Sequence, residues 1–161
     1  MSLVSTISVW DNELFVYSDG RVEKVDKRTK RRRAIKQSTG RDGYCCFGLT
    51  NADGDTRMFR SHRVIYLAHN QQWDILDVSK INVIDHKDRN ILNNNIDNLR
   101  LITQQQNMFN RNAKGYYYNK IISKWQSQII INGKNTFLGT FIKEADASNA
   151  YQSAKLIHHI I

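Results

Sequence analysis

Asp85 and His86 stand directly after the apolar Val83-Ile84, and asparagines recur at 90, 93, 94, 95, 98 and 107. A carboxylate is a hard oxygen ligand for a divalent cation such as magnesium or manganese. An imidazole beside it can take a proton from water near neutral pH. Asparagine side chains serve either purpose: the amide oxygen can ligate a hard cation, and the whole group can tie a loop to its own backbone. A calcium loop of the EF-hand kind is excluded, because Lys87 and Arg89 occupy positions that need oxygen ligands and Asn90 stands where glycine is required. Two readings stay open on residue types alone: a metal-and-base centre, or a polar loop that happens to follow an Asp-His pair.

The elements around the pair bear on that choice. Ile84 and the Leu99-Arg100-Leu101 run predict two short strands facing each other. A helix starting after Thr103, with that residue as its cap, would bring Asn107 back over the hairpin. Asp85, His86 and Asn107 would then converge in a strand-strand-helix unit. Upstream, ELFVYSDGRVEKV predicts a hairpin turning at Ser18-Asp19-Gly20, and GYCCFGLTNADGDTRMFR another turning at Ala52-Asp53-Gly54. HRVIYLAHN has its apolar residues at the spacing of a short helix, and residues 70–82 read as a connection. Downstream, YYYNKIISKWQSQIIINGKNTFLGTF holds three strand-like runs with turns at Ile122-Ser123-Lys124 and Asn132-Gly133. A helix follows, its spacing set by Ala147, Ala150, Tyr151, Ala154 and Ile157. The expected class is α+β, in two modules at residues 1–110 and 113–161.

Charge narrows the partner. The chain of 161 residues carries a net +9, and residues 27–36, KRTKRRRAIK, hold seven basic side chains and no acid. From Asn98 to Lys143 there is no Asp or Glu, while seven Lys or Arg occur with Tyr116, Tyr117, Tyr118 and Trp125 among them. Such a surface suits a polyanion, and nucleic acid fits better than a membrane because no strongly amphipathic basic helix is visible. No apolar run is long enough to span a bilayer, and MSLVSTISVWDNELF has no basic start of the secretory kind. Cys45 and Cys46 are adjacent on a strand-like segment and would face opposite ways, which suits a reduced intracellular protein. In KWQSQIIING, alternation places Trp125, Ser127, Ile129 and Ile131 on one face, with Trp125 expected in the core, and Lys124, Gln126, Gln128 and Ile130 on the other.

The string DHKDRNILNNNIDNLRLITQQQN closely resembles the HNH motif of phage-type homing endonucleases, and YSDGRV, GYCCFGL and RSHRVIYLAH are similar to the strands and helix that precede it. The resemblance covers most of residues 14–110, with the motif at 83–108. It implies N-terminal strands and a helix leading into a ββα-metal unit, with His86 as general base and Asp85 and Asn107 as ligands of one magnesium (or manganese) ion. Asn98 matches the central asparagine, which holds the loop and orients the histidine. His62 matches a recurrent His-Arg, but packing or a local bond is the expected role for this helix-start residue. His69, His158 and His159 have no evident partner.

KGYYYNKIISKWQSQIIINGKNTFLGTF with EADASNAYQSA resembles the Apetala-two-type DNA-binding domain, a three-stranded antiparallel sheet packed on one helix that enters the major groove. The arginines usual there are mostly replaced, with Tyr117, Lys120, Lys124 and Gln128 near their positions; Gln126 and Lys134 complete the expected contact set. Lys30, Arg31, Arg32 and Arg33 of the basic tract are expected to touch phosphates, as against forming only a solvated hairpin. The expected function is site-specific cleavage of double-stranded DNA by a monomer, with no membrane and no small-molecule cofactor, inside a bacterial host if a phage encodes it. The alternative is a non-catalytic DNA-binding regulator on the same scaffold.

Overall fold

Turn residues punctuate the N-terminal half into antiparallel ribbons. In the computed structural model, which describes residues 2–26, 28–111 and 113–159, β1 (Leu3–Val9) pairs with β2 (Asn12–Tyr17) across a tight turn at Trp10-Asp11, and β2 pairs with β3 (Val22–Val25) across Ser18-Asp19-Gly20. β4 (Arg32–Ala34) completes a four-stranded sheet in sequential order. A second sheet follows, of β5 (Ser38–Thr39), β6 (Cys45–Thr50) and β7 (Thr56–Arg60), and its Gly54 supplies a φ of 91° at the β6–β7 turn. Helix α1 (Ser61–His69) then buries Val64, Ile65, Leu67 and Ala68, the face its spacing predicts. These residues share one core with Ile7, Leu14, Val16, Val22, Phe47, Leu49 and Phe59.

The site hairpin is short. β8 (Val83–His86) pairs with β9 (Leu99–Ile102), placing Asp85 opposite Arg100 and His86 opposite Leu99. Ile84 and Leu99 enter the same core as α1 and anchor the hairpin from below. The loop between the strands closes with one 3-10 turn, Ile96–Asn98.

The chain divides into two compact units, residues 1–104 and 105–161. Helix α2 (Gln104–Phe109) starts at this division, and Asn107 therefore belongs to the second unit. That unit holds a sheet of β10 (Tyr116–Asn119), β11 (Lys124–Ile131) and β12 (Lys134–Phe141), followed by α3 (Glu144–His158). Asn132 and Gly133, both at positive φ (51° and 76°), form the two-residue turn that joins β11 and β12. β12 accommodates one extra residue between Phe137 and Gly139, so β11 keeps an unbroken alternation. Ala147, Tyr151 and Ala154 of α3 are buried, with Ile129 in the same core.

Two expectations need correction. Ile157 is 66% exposed, because three residues past Ala154 it falls at the edge of the stripe that Ala147, Tyr151 and Ala154 bury. Trp125 is half-buried beside Tyr116 and Tyr118, with ring centroids 6.0 and 5.3 Å away, and lies outside the Ile129–Tyr151 cluster.

Candidate functional site

The asparagine-rich loop is built from local side-chain turns. Asp88 Oδ1 accepts from the Asn90 amide at 2.8 Å and Asn90 Oδ1 from Leu92 at 3.1 Å. Asn93 Oδ1 accepts from Asn95 at 3.3 Å and Asn95 Oδ1 from Asp97 at 3.0 Å. Each asparagine thus replaces a missing backbone partner two residues on, which is why the residue recurs at this spacing. Asn98, 9% exposed, staples the two ends together. Its Oδ1 accepts from the Asp88 amide at 3.0 Å, and its Nδ2 donates to Asp88 Oδ1 at 2.9 Å and to the Asn93 carbonyl at 2.8 Å. Hydrogen bonds from Asn93, Asn90 and Asn98 hold the Asp88 carboxyl below the usual carboxylate range.

His86 closes β8 and is buried. Its Nε2 lies 3.0 Å from Asn94 Oδ1. An amide oxygen can only accept, so Nε2 carries the hydrogen and Nδ1 is the basic nitrogen. The ring of His62 meets His86 edge-on at 5.0 Å, and Tyr44 packs against both at 5.1 Å and 6.0 Å. Arg60 lies over the Tyr44 ring at 4.6 Å and pairs with Asp42. Burial, then the neighbouring His86, Arg60 and Arg63, push the His62 pKa down to about 3, so this ring is neutral at physiological pH. The expected packing role of His62 therefore has a specific object, the ring of His86.

Asp85 is also buried, and its Oδ2 receives both Nε and Nη2 of Arg100 at 2.9 Å. The strand register sets this pair, in which two guanidinium nitrogens converge on one carboxylate oxygen, since the two residues sit directly opposite. A buried carboxylate next to an imidazole fits a hard divalent cation, which would share the carboxylate with Arg100. Asn107 is half-buried on α2, in the second unit. Of the expected residues, then, the first unit brings together Asp85, His86 and Asn98, and adds Arg100, Asn94, Tyr44 and His62.

Residues 59–109 match the family model described as HNH endonuclease. This stretch includes α1, the β8–β9 hairpin and α2. Among solved structures, the chain is similar to the HNH homing endonuclease I-HmuI, whose structure concerns DNA binding and cleavage by that enzyme. The identity is 32%, the TM-score 0.44, and the match covers 60% of this chain and 50% of that one. The chain thus spans about half the length of that relative. A comparison with curated proteins gives no match.

The expected DNA contacts fall into two groups. Lys30, Arg31, Arg32 and Arg33 are exposed at the β3–β4 hairpin, where Asp26 caps the turn through the Arg28 and Thr29 amides at 3.0 and 2.9 Å. Arg33 pairs with Asp26 at 3.0 Å and Arg32 lies over the Phe15 ring at 3.7 Å, so two of the four are anchored to their own sheet; Lys27 lies outside the described residues. In the second unit, Tyr117, Lys120, Lys124 and Lys134 are exposed and Gln126 and Gln128 half-exposed. His159, without an evident partner in the sequence, stacks on Phe109 at 3.9 Å and 7°, with Nε2 at 2.9 Å from the Ile130 carbonyl. No described helix is long and apolar enough to cross a membrane.

Proposed function

We propose that this chain is a site-specific DNA endonuclease of the homing type, which hydrolyses a phosphodiester of duplex DNA with one divalent metal ion and His86 as general base. The observation that carries the reading is the state of His86. It is buried at the strand end, its tautomer set by Asn94, inside the stretch that matches HNH endonucleases. Nδ1 accepts a proton from the water that attacks phosphorus, and the Nε2–H bond to Asn94 Oδ1 supports the imidazolium that results. His62 and Tyr44 restrict the ring to one orientation. Asn98 holds the loop from which Asn94 reaches the histidine. Asp85, oriented by Arg100, would supply a carboxylate ligand to a magnesium or manganese ion. Such an ion, when bound, offsets charge on the phosphate and on the departing 3′ oxygen. Products would carry 5′-phosphate and 3′-hydroxyl ends.

The second unit, of the Apetala-two type on this reading, selects the site, and the basic hairpin at Lys30 to Arg33 adds phosphate contacts that high salt weakens. A monomer suffices, since one hydrolytic centre and one reading face lie on the same chain. The test is incubation with plasmid libraries and magnesium, followed by sequencing of the ends. The parent is expected to leave recurrent ends and His86→Ala none, while still binding duplex. Binding without cleavage by the parent, or cleavage by His86→Ala at the parental rate, would overturn the reading.

A further inference from the structure

The outward face of the second unit's sheet carries a glutamine whose hydrogen-bonding capacity is half committed. Gln126 of β11 sits opposite Tyr117 of β10 and Thr140 of β12. Its Oε1 accepts from the Tyr117 hydroxyl at 2.8 Å and from Asn119 Nδ2 at 3.0 Å. The orientation of this amide is over-determined. Asn119 Oδ1 accepts from the Ile121 backbone amide at 3.0 Å, so Asn119 must offer Nδ2 to its neighbour, and Gln126 must turn its oxygen inward to receive it. Among the described residues Gln126 Nε2 has no hydrogen bond, which leaves two N–H groups on an open face.

The face suits a nucleic-acid duplex. α3 covers the other side of the sheet, with Ala147, Tyr151 and Ala154 buried. Lys120, Lys124 and Lys134 are exposed along this sheet and its turns, and no acid occurs from Asn98 to Lys143. Charge complementarity therefore selects a polyanion, and sheets are known to read base edges in the major groove.

An unrestrained glutamine reads adenine, because it offers an acceptor to the N6 amino group and a donor to N7. Gln126 cannot do so without breaking two hydrogen bonds. We infer that Gln126 is a specificity-determining residue that acts as a donor only, and so selects a keto base (guanine through O6 and N7, or thymine through O4) over cytosine, which offers only a donor amino group, and over adenine, whose N7 accepts one bond but whose N6 amino group meets a second donor. The inference rests on the proposal that the second unit reads DNA. It adds which edge is read and why Tyr117 and Asn119 matter without touching the base.

The test is selection of bound sequences from a randomised duplex library, using the full chain with His86→Ala so that bound DNA is not cut. One position is expected to favour guanine or thymine by about tenfold over adenine or cytosine. Gln126→Ala should level that position and leave the others. Gln126→Glu keeps both inward bonds but presents an acceptor outward, and should reverse the preference to an amino base. Tyr117→Phe with Asn119→Ala frees the oxygen and should admit adenine. An adenine or cytosine preference at the Gln126-dependent position overturns the inference, as does a Gln126→Ala profile identical to the parent's or a parental library without any selected position. The same substitutions with His86 intact separate the two readings. Magnesium-dependent cleavage that survives while selection is absent removes only this inference, and selection without cleavage removes only the nuclease.

Discussion

His62 gives the first unit a built-in sensitivity to acid. The side chain is 3% exposed, and burial, with the neighbouring His86, Arg60 and Arg63, lowers its pKa from 6.5 to about 3. The unfolded chain protonates this imidazole below about pH 6.5, while the folded chain keeps it neutral until about pH 3. Between those values the unfolded state binds one more proton, so stability is complete above pH 6.5 and declines as pH falls. The slope is about 1.4 kcal/mol per pH unit, or about 2 kcal/mol between about pH 6.5 and pH 5. The perturbation is His62→Phe, which retains an aromatic ring against Tyr44 and His86 but cannot titrate. Denaturant unfolding at several pH values is followed through Trp10 and Trp73 in a Trp125→Phe background, so that the signal comes from the first unit alone. The parent is expected to lose about 2 kcal/mol more than the variant over that interval. Parallel pH profiles for parent and variant would refute the claim that the folded state holds His62 neutral.

Three further outcomes follow from the same geometry. Asn98→Ala removes three hydrogen bonds from a buried side chain and should cost about 1–3 kcal/mol, with faster amide exchange in loop 87–98; Asn98→Asp should be worse, since it sets a second carboxylate against Asp88. Arg100→Met leaves Asp85 buried without its guanidinium and should cost about 3 kcal/mol, while adding Asp85→Asn should recover part of that loss in a double-mutant cycle. Gly115→Ala should destabilise the second unit by about 3 kcal/mol, read by Trp125 fluorescence, because Gly115 has a φ of 68° and its new Cβ would collide with the Tyr151 ring.

Much of the fold was legible because its turns are marked by residues with few alternatives. Ser18-Asp19-Gly20, Ala52-Asp53-Gly54 and Asn132-Gly133 each end a run of alternating apolar residues, and each becomes a tight antiparallel connection. β5 was not legible, since two residues, Ser38 and Thr39, carry no period and pair only because Cys45 and Cys46 lie opposite. Ile157 fits the helical spacing too, but a periodicity does not state how wide a stripe of the helix the opposing sheet covers.

The site divides in the same way. Asp85, His86 and Asn98 are close in sequence, and their spacing alone describes a hairpin that returns to its start. The partners that give those residues their state are of two other kinds. Asn94 was hidden among identical neighbours, since Asn93, Asn94 and Asn95 differ only in what the folded loop lets them reach: the Asp88 carboxylate, the His86 ring and the Asp97 amide. Tyr44 and His62 come from other elements, and only the shared core beneath β6, α1 and β8 makes them neighbours of His86. Arg100 lies between these cases. Once β8 and β9 are paired, a register that sets His86 against Leu99 must set Asp85 against Arg100. A cross-strand pair can therefore be deduced from two strands, whereas a tautomer requires the whole loop, and it is the tautomer of His86 that decides which nitrogen can act as base.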